Sequence, residues 1–203
     1  MQVSCSKCGS AFEAAGYQSI NVASDPQFKE RVRDGSLFVA ECPYCGTRNL
    51  LKYNTLYHDP AAKLMVWLLP DGYEPPAAVA DAVKDLPGYT LRRVREAGEL
   101  IEKVCIADAG LEDTVMEVCK WVTRHELAAK NPAAADAPLK FLRLEGADHD
   151  LVMAFPLSGA MNVINVGFNV YEDASGILSR NPGIVPAAGF AEINSEWVNA
   201  FFR

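Results

Sequence analysis

The alternation of apolar and polar residues changes period several times along the chain, and each change predicts an element. KLMVWLLP, Lys63 to Pro70, is apolar at every position from Leu64 to Leu69, so it reads as a strand buried on both faces inside a sheet. Upstream, AFEAAGYQSINV (Ala11 to Val22) reads as extended. DPQFKERVRDG follows as a short helix, with Asp25 able to cap it, Pro26 at its first position and Gly35 ending it. Phe28 and Val32 fall four apart on one side of that helix. SLFVAE then predicts one strand and TRNLLKYNTLYHD another.

DGYEPP is a turn-rich break after Pro70, and it sets an expected boundary between residues 1–70 and 71–203. AVADAVKDL predicts a short helix and YTLRRV a strand. Ala97, Leu100, Ile101, Val104 and Cys105 then recur at helical spacing, with Gly110 as the stop. Val115, Val118, Cys119 and Val122 repeat the pattern, which predicts a helical hairpin over about 95–125. NPAAADAP, Asn131 to Pro138, reads as a linker or exposed loop. Beyond it the period becomes two in the series Ile164, Val166, Phe168, Val170, which with KFLRLE and DLVMAFPL as further strands predicts antiparallel strands over about 139–178. NSEWVNAFFR closes the chain as a short helix capped by Asn194 or Ser195, docking Trp197 and Phe201.

Composition places this pattern in the ordinary globular class, with 50% hydrophobic and 22% charged residues. Charge is uneven. Residues 1–70 hold seven Lys/Arg against six Asp/Glu (+1), and 71–203 hold twelve against twenty (−8), which together give the net −7. Binding nucleic acid requires clustered cations, and Arg92, Arg93 and Arg95 are the one small group, so the balance argues against such a partner. The longest strongly apolar run falls far short of the roughly 20 residues of a membrane span. Without a basic region leading into an apolar stretch at the start, the expectation is a cytoplasmic protein. In that reducing setting six cysteines point to a metal or to buried thiols rather than disulfides.

CSKCGS at 5–10 and CPYCGT at 42–47 supply the chemistry. Two cysteines three apart can grip one ion only where the backbone turns sharply. Gly9 and Gly46 suit the positive φ just after the second thiol, and Pro43 pre-sets φ inside the second turn. Two such knuckles present Cys5, Cys8, Cys42 and Cys45 as four sulfurs for a tetrahedral ion. Zinc is the expected metal. Iron is the runner-up, because soft four-sulfur sites take both and the spacing is also similar to rubredoxin. Four thiolates close the coordination shell, so the expected role is structural. The expected fold is α+β: an N-terminal zinc-ribbon antiparallel sheet with an inserted short helix, then the helical hairpin and further antiparallel strands.

With the knuckles, LFVAECPYCG, LYHDPAAKLMVWLLP and GELIEKVCIADAGLEDTVMEVCK together, the chain resembles the CpXC family, prokaryotic proteins named for paired C-P-x-C motifs. The resemblance covers most of residues 1–125. It implies a zinc-binding domain with Cys5, Cys8, Cys42 and Cys45 as ligands, and no particular activity. Ser6 stands where the motif has proline.

The remaining polar candidates read as structural. His58 and Asp59 are adjacent, and neighbours in a strand point to opposite faces, so a His–Asp base pair is hard to form. Cys105 and Cys119, taken with His125 and His149, would be a second metal site, but both cysteines lie on apolar helix faces. Asn162, Asn165 and Asn169 read as the solvated side of a strand. No Ser-His-Asp order, P-loop, GxGxxG or HExxH pattern is present, so the sequence favours a non-enzymatic role and leaves an enzyme with an unrecognised pocket open. The function expected is a zinc-binding scaffold with a protein partner or self-association. The alternatives are a nucleic-acid-associated or transcription-related zinc ribbon and a rubredoxin-like iron electron carrier.

Overall fold

A computed structural model describes residues 1–70, 77–78, 81 and 86–202. The chain divides into two compact units, Met1–Ile101 and Glu102–Arg203. The α+β class is as expected from the sequence.

The first unit opens with a hairpin of β1 (Gln2–Ser4) and β2 (Ala11–Glu13), then β3 (Ser19–Asn21) and helix α1 (Gln27–Arg33). Pro26, not Asp25, occupies the cap position, and Asp25 contributes its backbone carbonyl to the Phe28 N–H at 3.1 Å. Gly35 ends the helix at φ 75°. SLFVAE is a strand only in its second half. Leu37 and Phe38 are adjacent and both buried, which a one-sided strand cannot achieve, so Ser36–Phe38 form a 3-10 turn before β4 (Val39–Glu41).

β4 pairs with β5 (Arg48–Leu50) in a second antiparallel hairpin. The expected single strand from Thr47 to Asp59 therefore breaks after Leu50. The Leu51 N–H leaves β5 to bond the Phe38 carbonyl at 2.8 Å, and the Tyr53 hydroxyl bonds the Leu37 carbonyl at 3.1 Å. β6 (Thr55–Asp59), β7 (Leu64–Leu68) and β8 (Thr90–Val94) follow. They form a four-stranded sheet in the order β3-β6-β7-β8, antiparallel between β6 and β7 and parallel at β3–β6 and β7–β8. All five residues of β7 are buried, as its unbroken apolar run requires of an inner strand. The boundary expected after Pro70 lies within the first unit, because β8 returns to complete this sheet. The DGYEPP break at 71–76 and most of AVADAVKDL lie outside the described residues.

The unit boundary falls inside helix α2 (Ala97–Asp108). The second unit continues with α3 (Asp113–Lys130), and Gly110 turns the chain between the two helices at φ 70°. β9 (Lys140–Glu145), β10 (Asp150–Leu157) and β11 (Ala160–Val166) form an antiparallel sheet in the order β11-β10-β9. Met116, Cys119, Phe141, Leu151 and Met153 meet in its core. NPAAADAP is largely exposed, as expected of a loop, but Ala134 and Ala137 are buried in that core, and Pro132–Ala134 form a 3-10 turn.

The strands end at Val166, short of the expected 178. Phe168 caps helix α4 (Asn169–Arg180), and Val170 lies in its first turn. The period-two series of Ile164 to Val170 crosses this boundary because Val170, Ala174 and Leu178 begin a helical stripe at the point where the alternation stops. Helix α5 (Ser195–Asn199) is capped by Asn194, whose Oδ1 accepts from the Glu196 and Trp197 N–H groups at 3.0 Å. Val198 is its fully buried residue. Trp197 is partly buried, and Phe201 stays exposed rather than docking.

The second unit also encloses a network of charges that no hydrophobic pattern indicates. Lys103 Nζ lies 2.8 Å from Asp113 and donates to the Ile193 carbonyl at 2.8 Å. Lys120 Nζ bridges Glu117 at 2.6 Å and Glu102 at 2.9 Å. Glu102 in turn accepts from the Phe141 N–H at 2.8 Å and pairs with Lys140 at 3.4 Å. Glu102, Lys103, Asp113, Glu117 and Lys120 are all buried. Burial works to raise the Glu102 carboxyl, but Lys120, Lys140 and Lys103 outweigh it and hold it below the usual range. Burial raises Glu117, with Lys120 and Lys103 offsetting only part of the effect.

Candidate metal centre

The two short hairpins repeat one local design. In the first, Cys5 N–H donates to the Ser10 carbonyl at 2.9 Å and Gly9 N–H to the Cys5 carbonyl at 3.0 Å. In the second, Cys42 N–H donates to the Thr47 carbonyl and Gly46 N–H to the Cys42 carbonyl, both at 2.9 Å. Gly9 and Gly46 take φ of 73° and 69°, the left-handed region that a side chain disfavours. Each glycine lets the chain reverse directly after its second thiol. The first cysteine of each pair, Cys5 or Cys42, is buried, whereas Cys8 is exposed and Cys45 half-buried.

The knuckles face each other. Cys5 Sγ lies 3.6 Å from Cys45 Sγ, and Cys8 Sγ lies 3.7 Å from Cys42 Sγ. All four sulfurs fall within 4.8 Å of one another. An ion about 2.3 Å from each of four tetrahedral sulfurs would set them about 3.8 Å apart, so the cross-knuckle spacings fit such an ion. They are much too long for a disulfide, which joins sulfurs at about 2.05 Å. The donor set is all thiol, which suits a soft or borderline cation. Among the described residues this is the one group of three or more His, Cys, Asp or Glu side chains placed to hold a metal.

The local electrostatics are uneven. The Cys8 and Lys7 N–H groups, aimed at the Cys5 sulfur, favour its thiolate and bring the thiol down to about 6. The Ser10 hydroxyl and N–H hold Cys8 below the ordinary thiol value. Burial instead pushes Cys42 up to about 11, against the N–H groups of Tyr44 and Cys45. A bound cation would favour the thiolate at all four positions.

The chain matches the family described as CpXC protein over residues 3–120. The chain belongs to the CpXC family. No curated protein and no solved structure matches it. The cysteine cluster of this CpXC chain is compatible with metal binding, and its two arms come from the two C-x2-C-G turns recognised in the sequence.

Sequence reasoning missed the polar residues around the sulfurs. Asn49, buried in β5, donates from Nδ2 to Cys5 Sγ at 3.8 Å and to the Thr47 carbonyl at 2.8 Å. Cys45 Sγ lies 3.4 Å from the Thr47 hydroxyl. The available signal was the internal correspondence of the knuckles: Asn49 stands as far beyond Cys42 as the buried Phe12 stands beyond Cys5.

The other candidates are not assembled into sites. His58 Nε2 lies 3.1 Å from the Tyr89 hydroxyl. Asp59 points the other way, pairing with Lys29 at 2.9 Å and accepting from the Ala61 and Ala62 N–H groups at 3.1 Å. Cys119 packs in the second unit's core, donating to the Val170 carbonyl at 3.6 Å, and burial raises its thiol to about 12. His125 is exposed and bonds the Trp121 carbonyl at 2.8 Å through Nδ1, while His149 lies exposed in the β9–β10 turn. Asn165 Nδ2 reaches Glu145 at 3.5 Å, and Asn169 belongs to α4.

Proposed function

We propose that Cys5, Cys8, Cys42 and Cys45 hold one zinc ion whose role is structural, in a cytoplasmic protein that acts through a protein partner or a second copy of itself. The supporting observation is the convergence of four thiols, two from each hairpin, within 4.8 Å. Four sulfur ligands leave no coordination corner for an activated water, which favours an architectural ion over a catalytic one. Both hairpins have strands of only three residues, too short to be stable without a cross-link. Among the described residues no helix is long and apolar enough to cross a membrane.

Elemental analysis of protein grown with both metals available should return one zinc per chain and no stoichiometric iron. A red protein carrying iron, with strong visible absorption, would replace this reading with the rubredoxin-like electron carrier. Light scattering after size exclusion, with a pull-down from host lysate, tests the interaction role. A monomer that captures nothing, or a shift with mixed DNA at low salt that vanishes as salt rises, would count against it.

A further inference from the structure

Asn49 is buried at 5% exposure, in a position whose counterpart in the other hairpin is apolar. Phe12 lies opposite Val3 in the β1–β2 register, and Asn49 lies opposite Ala40 in the β4–β5 register. Phe12 packs with Cys5 and Cys42 in a small core beneath the sulfurs. A buried side-chain amide is costly unless its bonding groups are used, and this one uses both ends. Oδ1 accepts from the Ser6 N–H at 2.8 Å and from the Ser6 hydroxyl at 3.0 Å. Nδ2 donates to the Thr47 carbonyl at 2.8 Å and to Cys5 Sγ at 3.8 Å. One amide therefore ties the turn of the first knuckle to the strand leaving the second.

Ser6 supplies both donors to Oδ1, and it occupies the place where the family motif has proline. The matching residue of the second knuckle is Pro43. Proline has neither an N–H nor a hydroxyl, so the Asn49 Oδ1 contacts depend on this chain's departure from the motif.

We infer that Asn49 and Ser6 form a matched latch that holds the two knuckles in register and orients Cys5 as a ligand, making Asn49 a positioning residue for the bound metal. This rests on the reading that the four cysteines bind a metal. The latch closes the site before the ion arrives and keeps the second knuckle from swinging away when one sulfur lets go. It therefore acts on how tightly and how long the ion is held, not on which sulfurs hold it. Loss of outer partners at metal sites typically weakens binding about 10–100-fold.

The test uses the full chain loaded with Co(II), read by its absorption spectrum, and with Zn(II), read by transfer to a chromogenic chelator. Asn49→Ala should keep the four-thiolate cobalt spectrum, weaken zinc binding by about 10–100-fold and speed its release. Ser6→Pro, which restores the family motif and so should fold, is expected to move the same way by a smaller factor, since Nδ2 keeps its partners. The double variant should be no weaker than Asn49→Ala alone, because both changes break one latch. Parental affinity and release in Asn49→Ala, or strictly multiplicative losses in the double variant, would overturn the latch while leaving the metal site intact. A parent protein with no four-thiolate cobalt spectrum would sink the metal reading itself, and the latch with it. Should Asn49→Ala not fold, parental zinc affinity and release in Ser6→Pro overturn the latch.

Discussion

Cys42→Ser is expected to lose stoichiometric zinc and to unfold the two knuckle hairpins while leaving the second unit's core in place. Serine is nearly the size of cysteine, so the change removes a ligand more than it removes packing. Cys42 is 1% exposed and lies against Cys5 and Phe12, so no water-exposed group stands ready to replace its sulfur. Structural zinc contributes about 10–16 kcal/mol in small finger peptides, comparable to the whole stability of a typical domain at about 5–15 kcal/mol. Three ligands should retain only part of that. Metal analysis after dialysis against a mild chelator, with hydrogen exchange along β1, β2, β4 and β5, reads both effects. Cys119→Ser is the control: it places a hydroxyl in the second unit's core and should destabilise that unit with the metal content unchanged. A Cys42→Ser protein that keeps one tightly held zinc and parental exchange rates in those four strands would contradict the proposed site.

Lys120→Met is expected to cost about 3–5 kcal/mol at neutral pH, the usual penalty for removing one partner from a buried charge group. Lys120 is the cation between Glu102 and Glu117, and each carboxylate has a side-chain exposure of 3%. Methionine keeps most of the volume, so the loss measures the stranded carboxylates. The penalty should shrink with acidity. In the parent, the depressed Glu102 contributes stability that is present above its unfolded value near about 4.3 and is lost as pH falls through its lower folded value. In the variant the buried Glu117, raised already in the parent, loses its main opposing cation, and Glu102 keeps only Lys140 and Lys103 against burial. Their ionised forms are therefore less favoured at neutral pH, and the loss fades once they are protonated. Both effects narrow the gap between the two proteins toward about pH 4. Urea unfolding at neutral and acid pH gives the comparison. A difference under about 1 kcal/mol at neutral pH, or one that widens on acidification, would show that the network carries no such load.

Much of the fold was legible where a signal is repeated within a few residues. The apolar run of β7, the i, i+3, i+4 stripes of α2 and α3 and the alternation in β11 each name their element. In each case the pattern arises from the element's own geometry against one core. Reading failed where two geometries share a pattern or where burial is not one-sided. The alternation through Val170 served both the end of β11 and the start of α4. Leu37 and Phe38, neighbours that are both buried, needed a 3-10 turn that no period announces. NPAAADAP is largely exposed, as its turn residues indicate, yet Ala134 and Ala137 are small enough to fit under the core, which no pattern announces.

The candidate site divides along the same line. Within each C-x2-C-G turn the conformation follows from contacts no more than five residues apart, through positive φ at Gly9 and Gly46 and the hydrogen bonds that begin and end at the cysteines. Backbone sterics act at that range, so the residues alone determine two knuckles and four candidate ligands. Which sulfurs meet, and that Asn49 reaches Ser6 and Cys5, depends on how separate strands are brought together. The same holds for Glu102, Lys103, Glu117 and Lys120, which look like any charged helix surface until opposing elements remove them from water. A polar side chain's partner across a core is chosen by packing, and packing is not encoded in any short window of the chain.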